Sequence, residues 1–293
     1  MLCFPSVRLE LKHTESEHQI MPIFDTHVHT TFSTDGRSTL DDYAAAVRGG
    51  QIRGIGLTDH VDVLPGGGSY GHFDPADYLQ AIHAYQEQGC PFWAGAEIDY
   101  ASRGEAKILD NLQRYRYAYT IGSVHLSFPK STDNQAELGQ ADSIGKQRVL
   151  DMIRFYYAEV KAMLARPEFD VIGHAGVYKR YLKPVFLKDA QLAREISGLD
   201  HELARVCAQS GKILEINTSG LFAPLGKTIP DITFTSEYCR CGGRLVSIGS
   251  DAHQAAHLGR GFATAYALLR EIGFQYLTLP WDKDHPLPLD SLL

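Results

Sequence analysis

The sequence predicts an α/β fold whose parallel strands form a barrel-like sheet. Three observations point there. Seven short apolar runs, near residues 23–28, 54–58, 92–97, 119–124, 170–173, 212–217 and 245–250, read as buried parallel strands. Helical patterns lie between most of them, and strands alternating with helices imply βα units. Six of the runs end in a His, Asp or Glu, and the remaining one carries Glu215 and Asn217. Parallel barrels gather their chemistry at the carboxyl ends of their strands, so the pattern marks an enzyme.

The helices can be taken in order. Residues 39–50 follow Ser38-Thr39, a capping pair, with Asp41-Asp42 in the first turn. Residues 75–88 begin at Asp74-Pro75, present Tyr78, Leu79, Ile82 and Tyr85 on one face, and stop at Gly89. Longer amphipathic patterns cover 143–165, ended by Pro167, and 188–210, ended by Gly211; the last covers 254–272. Three connections after strand ends read as active-site loops: 62–73, 126–142, and 176–188 with Lys179, Arg180 and Lys183. Residues 1–21 read as an N-terminal extension and 22–293 as a single domain.

Composition narrows the function. With 293 residues, 44% of them hydrophobic, the chain can bury a sizeable core. A net charge of -7 argues against a clamp on long nucleic acid, which needs clustered Lys and Arg. No apolar stretch reaches the ~20 residues that span a bilayer. The charged start does not resemble a signal peptide, so the expected compartment is the cytoplasm. The five cysteines (Cys3, Cys90, Cys207, Cys239 and Cys241) imply no disulfide framework. Cys239-Arg-Cys241 lacks a second pair and reads as two ordinary thiols.

The metal-type side chains are the sharpest signal. His27 and His29 are two apart at a strand end, where alternate side chains share a side and both imidazoles can reach one ion. Asp251 and His253 repeat that spacing. Imidazole with carboxylate suits Zn, Mn or Fe. Isolated His-x-His pairs are weak evidence, but core histidines do not distribute themselves over successive strand ends. Asp25 and Asp59 adjoin such histidines and are expected to orient their imidazoles. His83 and His201, inside helical patterns, read as surface or packing residues.

In order along the chain, Asp25-Thr-His-Val-His29, Thr58-Asp-His60, Gly95-Ala-Glu97, Gly122-Ser-Val-His125, Gly173-His174 and Gly249-Ser-Asp-Ala-His253 resemble the PHP (polymerase and histidinol phosphatase) superfamily. Glu215-Ile-Asn-Thr-Ser-Gly220 is similar to its histidinol-phosphate phosphatase branch. The resemblance spans about 22–275 and implies a distorted (β/α)7 TIM-like barrel holding two to three divalent transition-metal ions. It implies His27, His29, Glu97 and Asp251 around a first ion. Glu97 then bridges to a second, held by His125 and His174, and a third takes Asp35, His60 and His253. Asp35 stands where many relatives carry His.

The activity so implied is hydrolysis of a small phosphate monoester, L-histidinol phosphate first, by a metal-bridging hydroxide, with Glu97, Asp251 and His253 catalytic. Arg180 leads the candidate phosphate clamps, with Arg260 and Lys179 behind it. His72, His257 and Asn217 complete the expected substrate contacts. No membrane and no stable nucleic-acid partner is expected. Phe222 departs from the branch, which tends to place a basic residue after Asn-Thr-Ser-Gly-Leu. That departure keeps open a broad phosphoesterase for sugar phosphates, nucleotides or short oligonucleotides. An amidohydrolase is a rival, although Glu97 stands where those enzymes usually carry a carboxylated lysine. A non-catalytic metal-binding module is another, which the full ligand set disfavours.

Overall fold

The structure is a computed structural model that describes residues 24–65, 68–72, 74–125, 145–182 and 184–292. The expected extension at 1–21, the loop at 126–142 and Lys183 lie outside them. All seven apolar runs form strands. They are β1 (Phe24–Val28), β2 (Gly54–Leu57) with β3 (His60–Val61), β4 (Phe92–Ala94) with β5 (Ala96–Asp99), β6 (Thr120–Ser123), β7 (Val171–Ile172), β8 (Ile213–Asn217) and β9 (Val246–Gly249).

The third run is broken in two at Gly95, which its apolar continuity did not predict, and the second is followed after a gap by the short strand β3. β1, β2 and β4 make one sheet, and β3, β5, β6, β7, β8 and β9 make another. Every pairing within them is parallel. The breaks would leave carbonyls unpaired inside the protein, an expensive state. The buried Tyr78 hydroxyl answers this, lying 2.7 Å from the Leu57 oxygen and 2.8 Å from the Gly95 oxygen. At the other seam β1 meets the segment after β9. The His29 amide donates to the Ala252 carbonyl at 2.8 Å, and the Asp251 amide to the His27 carbonyl at 2.9 Å. The runs therefore follow one another around a distorted seven-run barrel.

Helices cover the outside. Thr39 caps Leu40–Arg48 in a capping box with Asp42, Asp74 caps Pro75–Glu87, and Asp189 caps Ala190–Ser210. Lys146–Leu164 packs its Val149, Ile153, Tyr156, Val160 and Met163 into the main core. The pattern expected over 254–272 is not one helix. Ala255–His257 is a single turn, Gly259 and Gly261 then take φ of +63° and +84°, and the helix begins at Phe262. Left-handed backbone ends a helix, and here it carries Arg260 clear of the helical surface.

Helices Glu105–Arg114 and Ile232–Arg240 were not anticipated. The first buries only Ile108 and packs Leu112 against the core. An antiparallel hairpin, β10 (Tyr276–Leu279) with β11 (Asp282–Pro288), was also unforeseen. Its Trp281 stacks on Trp93 at 4.2 Å between centroids and meets Tyr119 and Phe24. This aromatic group fills the barrel near the strand starts and leaves the strand ends for chemistry.

Candidate metal centre

The strand ends bring nine expected ligands together. On the first side, His27 and His29 place their Nε2 atoms 3.0 Å apart, each 3.5 Å from Glu97 Oε2. Asp251 Oδ1 lies 3.2 Å from His29 Nε2 and 3.8 Å from His27 Nε2. His60 Nδ1 reaches the same Glu97 oxygen at 2.8 Å. The other oxygen, Oε1, is 2.8 Å from His174 Nε2 and 3.6 Å from His125 Nε2. His253 Nε2 and His60 Nε2 lie 3.0 and 3.6 Å from Asp35 Oδ2.

Among the described residues three donor groups are compact enough to hold an ion each: His27, His29 and Glu97; Glu97, His125 and His174; and His29, His60 and His253. The last differs from expectation, because buried His29 joins it while Asp35 stands at the rim, 55% exposed.

Hydrogen bonds fix several of the imidazoles. Glu215 Oε1 holds His27 Nδ1 at 2.6 Å, and the Asp251 carbonyl lies 2.9 Å from His253 Nδ1. Asp99 Oδ1 lies 3.3 Å from His125 Nδ1. Each contact turns Nε2 toward the cluster, the arrangement typical of metal-bound histidines. The His174 ring is steered instead through its backbone, whose amide donates to Glu215 Oε2 at 2.6 Å.

The electrostatics fit cations. Glu97 is buried, and its Oε2 has no hydrogen-bond partner although three imidazole nitrogens lie within 3.5 Å. Imidazole nitrogens and a carboxylate oxygen that converge on one point form the kind of donor set that holds a metal ion. Burial raises the Glu97 carboxyl, but His60 and His27 outweigh it and hold it well below its usual range. Burial opposes a charge on His27, yet Glu215, Glu97 and Asp251 raise it well above an ordinary imidazole. Burial and the rings of His60 and His253 push its neighbour His29 down to about 3. One member of the close pair is thus driven to carry a proton and the other to lose it, which a shared cation would make unnecessary. The donors are nitrogen and oxygen with no thiolate, the set that suits zinc, manganese or iron.

Several expectations need correction. Asp25 does not touch an imidazole. It is fully buried and binds the amides of Ser250 and Gly259 at 2.9 and 3.0 Å, so it ties β1 to the segment after β9. Burial pushes its carboxyl up to about 6. Asp59 accepts from the Thr30 amide and the Ser33 hydroxyl at 2.7 Å each, and reaches His29 only through Ser33. Lys179 turns away to Asp200, at 2.6 Å, beside the Tyr157–Tyr178 pair. Asn217 is fully buried and directs its amide to Asp251, Glu215 and Ser219, so it supports ligands without facing the opening.

The other expected contacts are distributed unevenly. His72 is exposed in its loop, and its backbone amide donates to Ser69. His257 stays nearer, held by Gln254 at 2.8 Å, with burial, Arg260 and His253 lowering its pKa. The Arg260 guanidinium lies 3.4 Å from the centre of the Phe222 ring, so a cation stands over the position that lacks a basic side chain. Arg180 donates to Ser219 Oγ beside Asp251. His83 and His201 are exposed, paired with Glu87 and Glu237. Cys239 and Cys241 are free thiols.

Asp99 was not among the expected site residues, and Glu215, noted as the acidic residue of its strand, was given no role as a support for His27 and His174. Their sequence signal was a carboxylate inside an apolar strand: Asp99 follows Glu97 by two, and both are buried.

Known proteins resemble this chain in sequence and fold. A protein of Thermotoga maritima named "Probable histidinol-phosphatase" is 28% identical over 89% of this chain and 97% of its own. One of Deinococcus radiodurans with the same name is 27% identical over 89% and 98%. The crystal structure of histidinol phosphate phosphatase from Lactococcus lactis, complexed with zinc, L-histidinol and phosphate, superposes with a TM-score of 0.73. It is 20% identical and covers 90% of this chain and 99% of that one. The PHP domain profile matches residues 25–219, and the chain belongs to the PHP family.

Proposed function

We propose that this chain is a metal-dependent phosphoric monoester hydrolase acting on L-histidinol phosphate, with residues 22–293 as its single domain. One observation carries the reading. The two oxygens of Glu97 each face a separate set of imidazoles, Oε2 toward His27, His29 and His60 and Oε1 toward His174 and His125. A carboxylate so placed can hold two cations close together, a spacing that suits phosphoryl transfer. The Thermotoga and Deinococcus relatives, matched over nearly their whole lengths, and the Lactococcus complex supply the substrate.

Two to three zinc, manganese or iron ions would be held by His27, His29, His60, Glu97, His125, His174, Asp251 and His253, with Asp35 at the rim. Once bound they would supply Lewis acidity at the phosphate oxygens and acidify the attacking water.

The chain's own groups do the rest. Arg180, reaching across to Ser219, grips the phosphate dianion, since a guanidinium fork matches two of its oxygens. Arg260, seated on Phe222, offers a second cation. Asp251 turns Oδ1 to His29 and Oδ2 to Ser219 and Asn217. These contacts keep the carboxylate ionised, so Asp251 could accept the proton that the attacking water loses and return it to the leaving alcohol. His253, 30% exposed, lines the approach.

The test is a substrate panel: L-histidinol phosphate, sugar phosphates, nucleotides, a lactone and an amide. L-Histidinol phosphate should give the highest kcat/KM. Preference for another phosphate would replace the substrate, and turnover of the lactone or amide alone would replace the chemistry.

A further inference from the structure

Ser219 was not among the residues expected of the site, yet among the described residues it is the side chain that links Asp251 to Arg180. It follows β8 at the start of a short turn, Ser219–Phe222. Its backbone amide donates to Asn217 Oδ1 at 3.0 Å, which fixes the residue whatever its side chain does. Its hydroxyl oxygen lies 3.2 Å from Asp251 Oδ2, close to Asn217 Oδ1, and accepts from Arg180 Nη2. A hydroxyl has one proton and two lone pairs. The proton serves the acceptor side, toward Asn217 and Asp251, and a lone pair is left for the guanidinium.

Arg180 needs such a partner. Its Nε is buried without a hydrogen bond, and Ser219 holds Nη2. Its neighbour Lys179 in the same turn, Val177–Arg180, is tied to Asp200. A long guanidinium side chain loses substantial rotamer freedom on being fixed, so the hydroxyl prepays part of the cost of phosphate binding.

We infer that Ser219 is a positioning residue for substrate, holding the Arg180 guanidinium beside Asp251 so that it meets the phosphate in place. The inference rests on the phosphatase reading above and adds to it a residue that acts through Arg180.

The test is a double-mutant cycle on the metal-loaded protein. Wild type, Ser219→Ala, Ser219→Thr, Arg180→Ala and the double variant are compared on L-histidinol phosphate or p-nitrophenyl phosphate, whichever the wild type hydrolyses. Ser219→Ala keeps the backbone bond and should raise KM about three- to tenfold, the effect of one lost hydrogen bond. It should leave kcat and metal content nearly unchanged. Ser219→Thr, which restores the hydroxyl, should recover most of the loss. In the Arg180→Ala background the serine change should add less than about twofold, because coupled residues are not additive.

An equal rise in KM in both backgrounds would overturn the inference, as would a loss of metal or kcat with KM intact. A wild type inert toward every phosphate ester would refute the phosphatase reading itself, whereas an active wild type with an additive cycle refutes only the role of Ser219.

Discussion

Glu97 sits on β5 with both oxygens engaged. Ser123 donates to Oε1 at 2.6 Å and His174 lies 2.8 Å away, while Oε2 faces three further imidazoles. Glu97→Gln keeps the volume and removes the charge. Turnover should fall about 100-fold or more, beyond the 10–100-fold typical of an outer partner. The melting temperature should stay within about 5 °C, because little packing changes. Wild-type turnover in that variant would remove Glu97 from its bridging place. Arg180→Ala should raise KM for the phosphate ester about tenfold, the cost of a charged hydrogen bond, with metal content unchanged. Unaltered steady-state kinetics would hand the role to Arg260. At this scale the ligands were legible because each stands after an apolar run. Their supports were not. Asp99 looks like an ordinary strand carboxylate until the fold sets it against His125, and Glu215, visible in its strand, shows its hold on His27 only in the fold. Asp25 and Asp59 stand close in sequence to ligands, but backbone amides and hydroxyls take their carboxylates: Ser250 and Gly259 hold Asp25, and Thr30 and Ser33 hold Asp59.

The strands themselves were visible as apolar runs, but their breaks were not. At the break in the third run, at Gly95, the Tyr78 hydroxyl comes from a neighbouring helix to lie between the Leu57 and Gly95 carbonyls, a contact that no local pattern announces. The hairpin of β10 and β11 was missed for a similar reason. β11 is largely exposed and polar, and its one strong contribution is Trp281 at the turn before it. Gly56 on β2 shows how tightly that aromatic group is packed. A Cβ there would lie 1.9 Å from Tyr119 Oη and 2.9 Å from the Trp281 ring. The Tyr119 hydroxyl itself is committed to the Thr26 carbonyl at 2.7 Å. Gly56→Ala should therefore cost about 1–3 kcal/mol, the usual range for overpacking, in denaturant unfolding of the metal-loaded protein. An alanine variant as stable as wild type would mean that the aromatic group is looser than its contacts imply.

Taken whole, the barrel separates its tasks by end. Aromatic side chains fill it near the strand starts, and buried imidazoles and carboxylates gather at the strand ends, as parallel barrels dictate. No helix among the described residues is long and apolar enough to cross a membrane. The central claim is that the clustered donors exist to hold catalytic metal ions. The most direct test strips the purified protein with a chelator and titrates zinc, manganese or iron back, measuring bound metal and L-histidinol phosphate hydrolysis together. Activity should vanish in the stripped protein and return as more than one ion per chain is bound. Full hydrolysis by protein that elemental analysis shows to be metal-free would contradict the account.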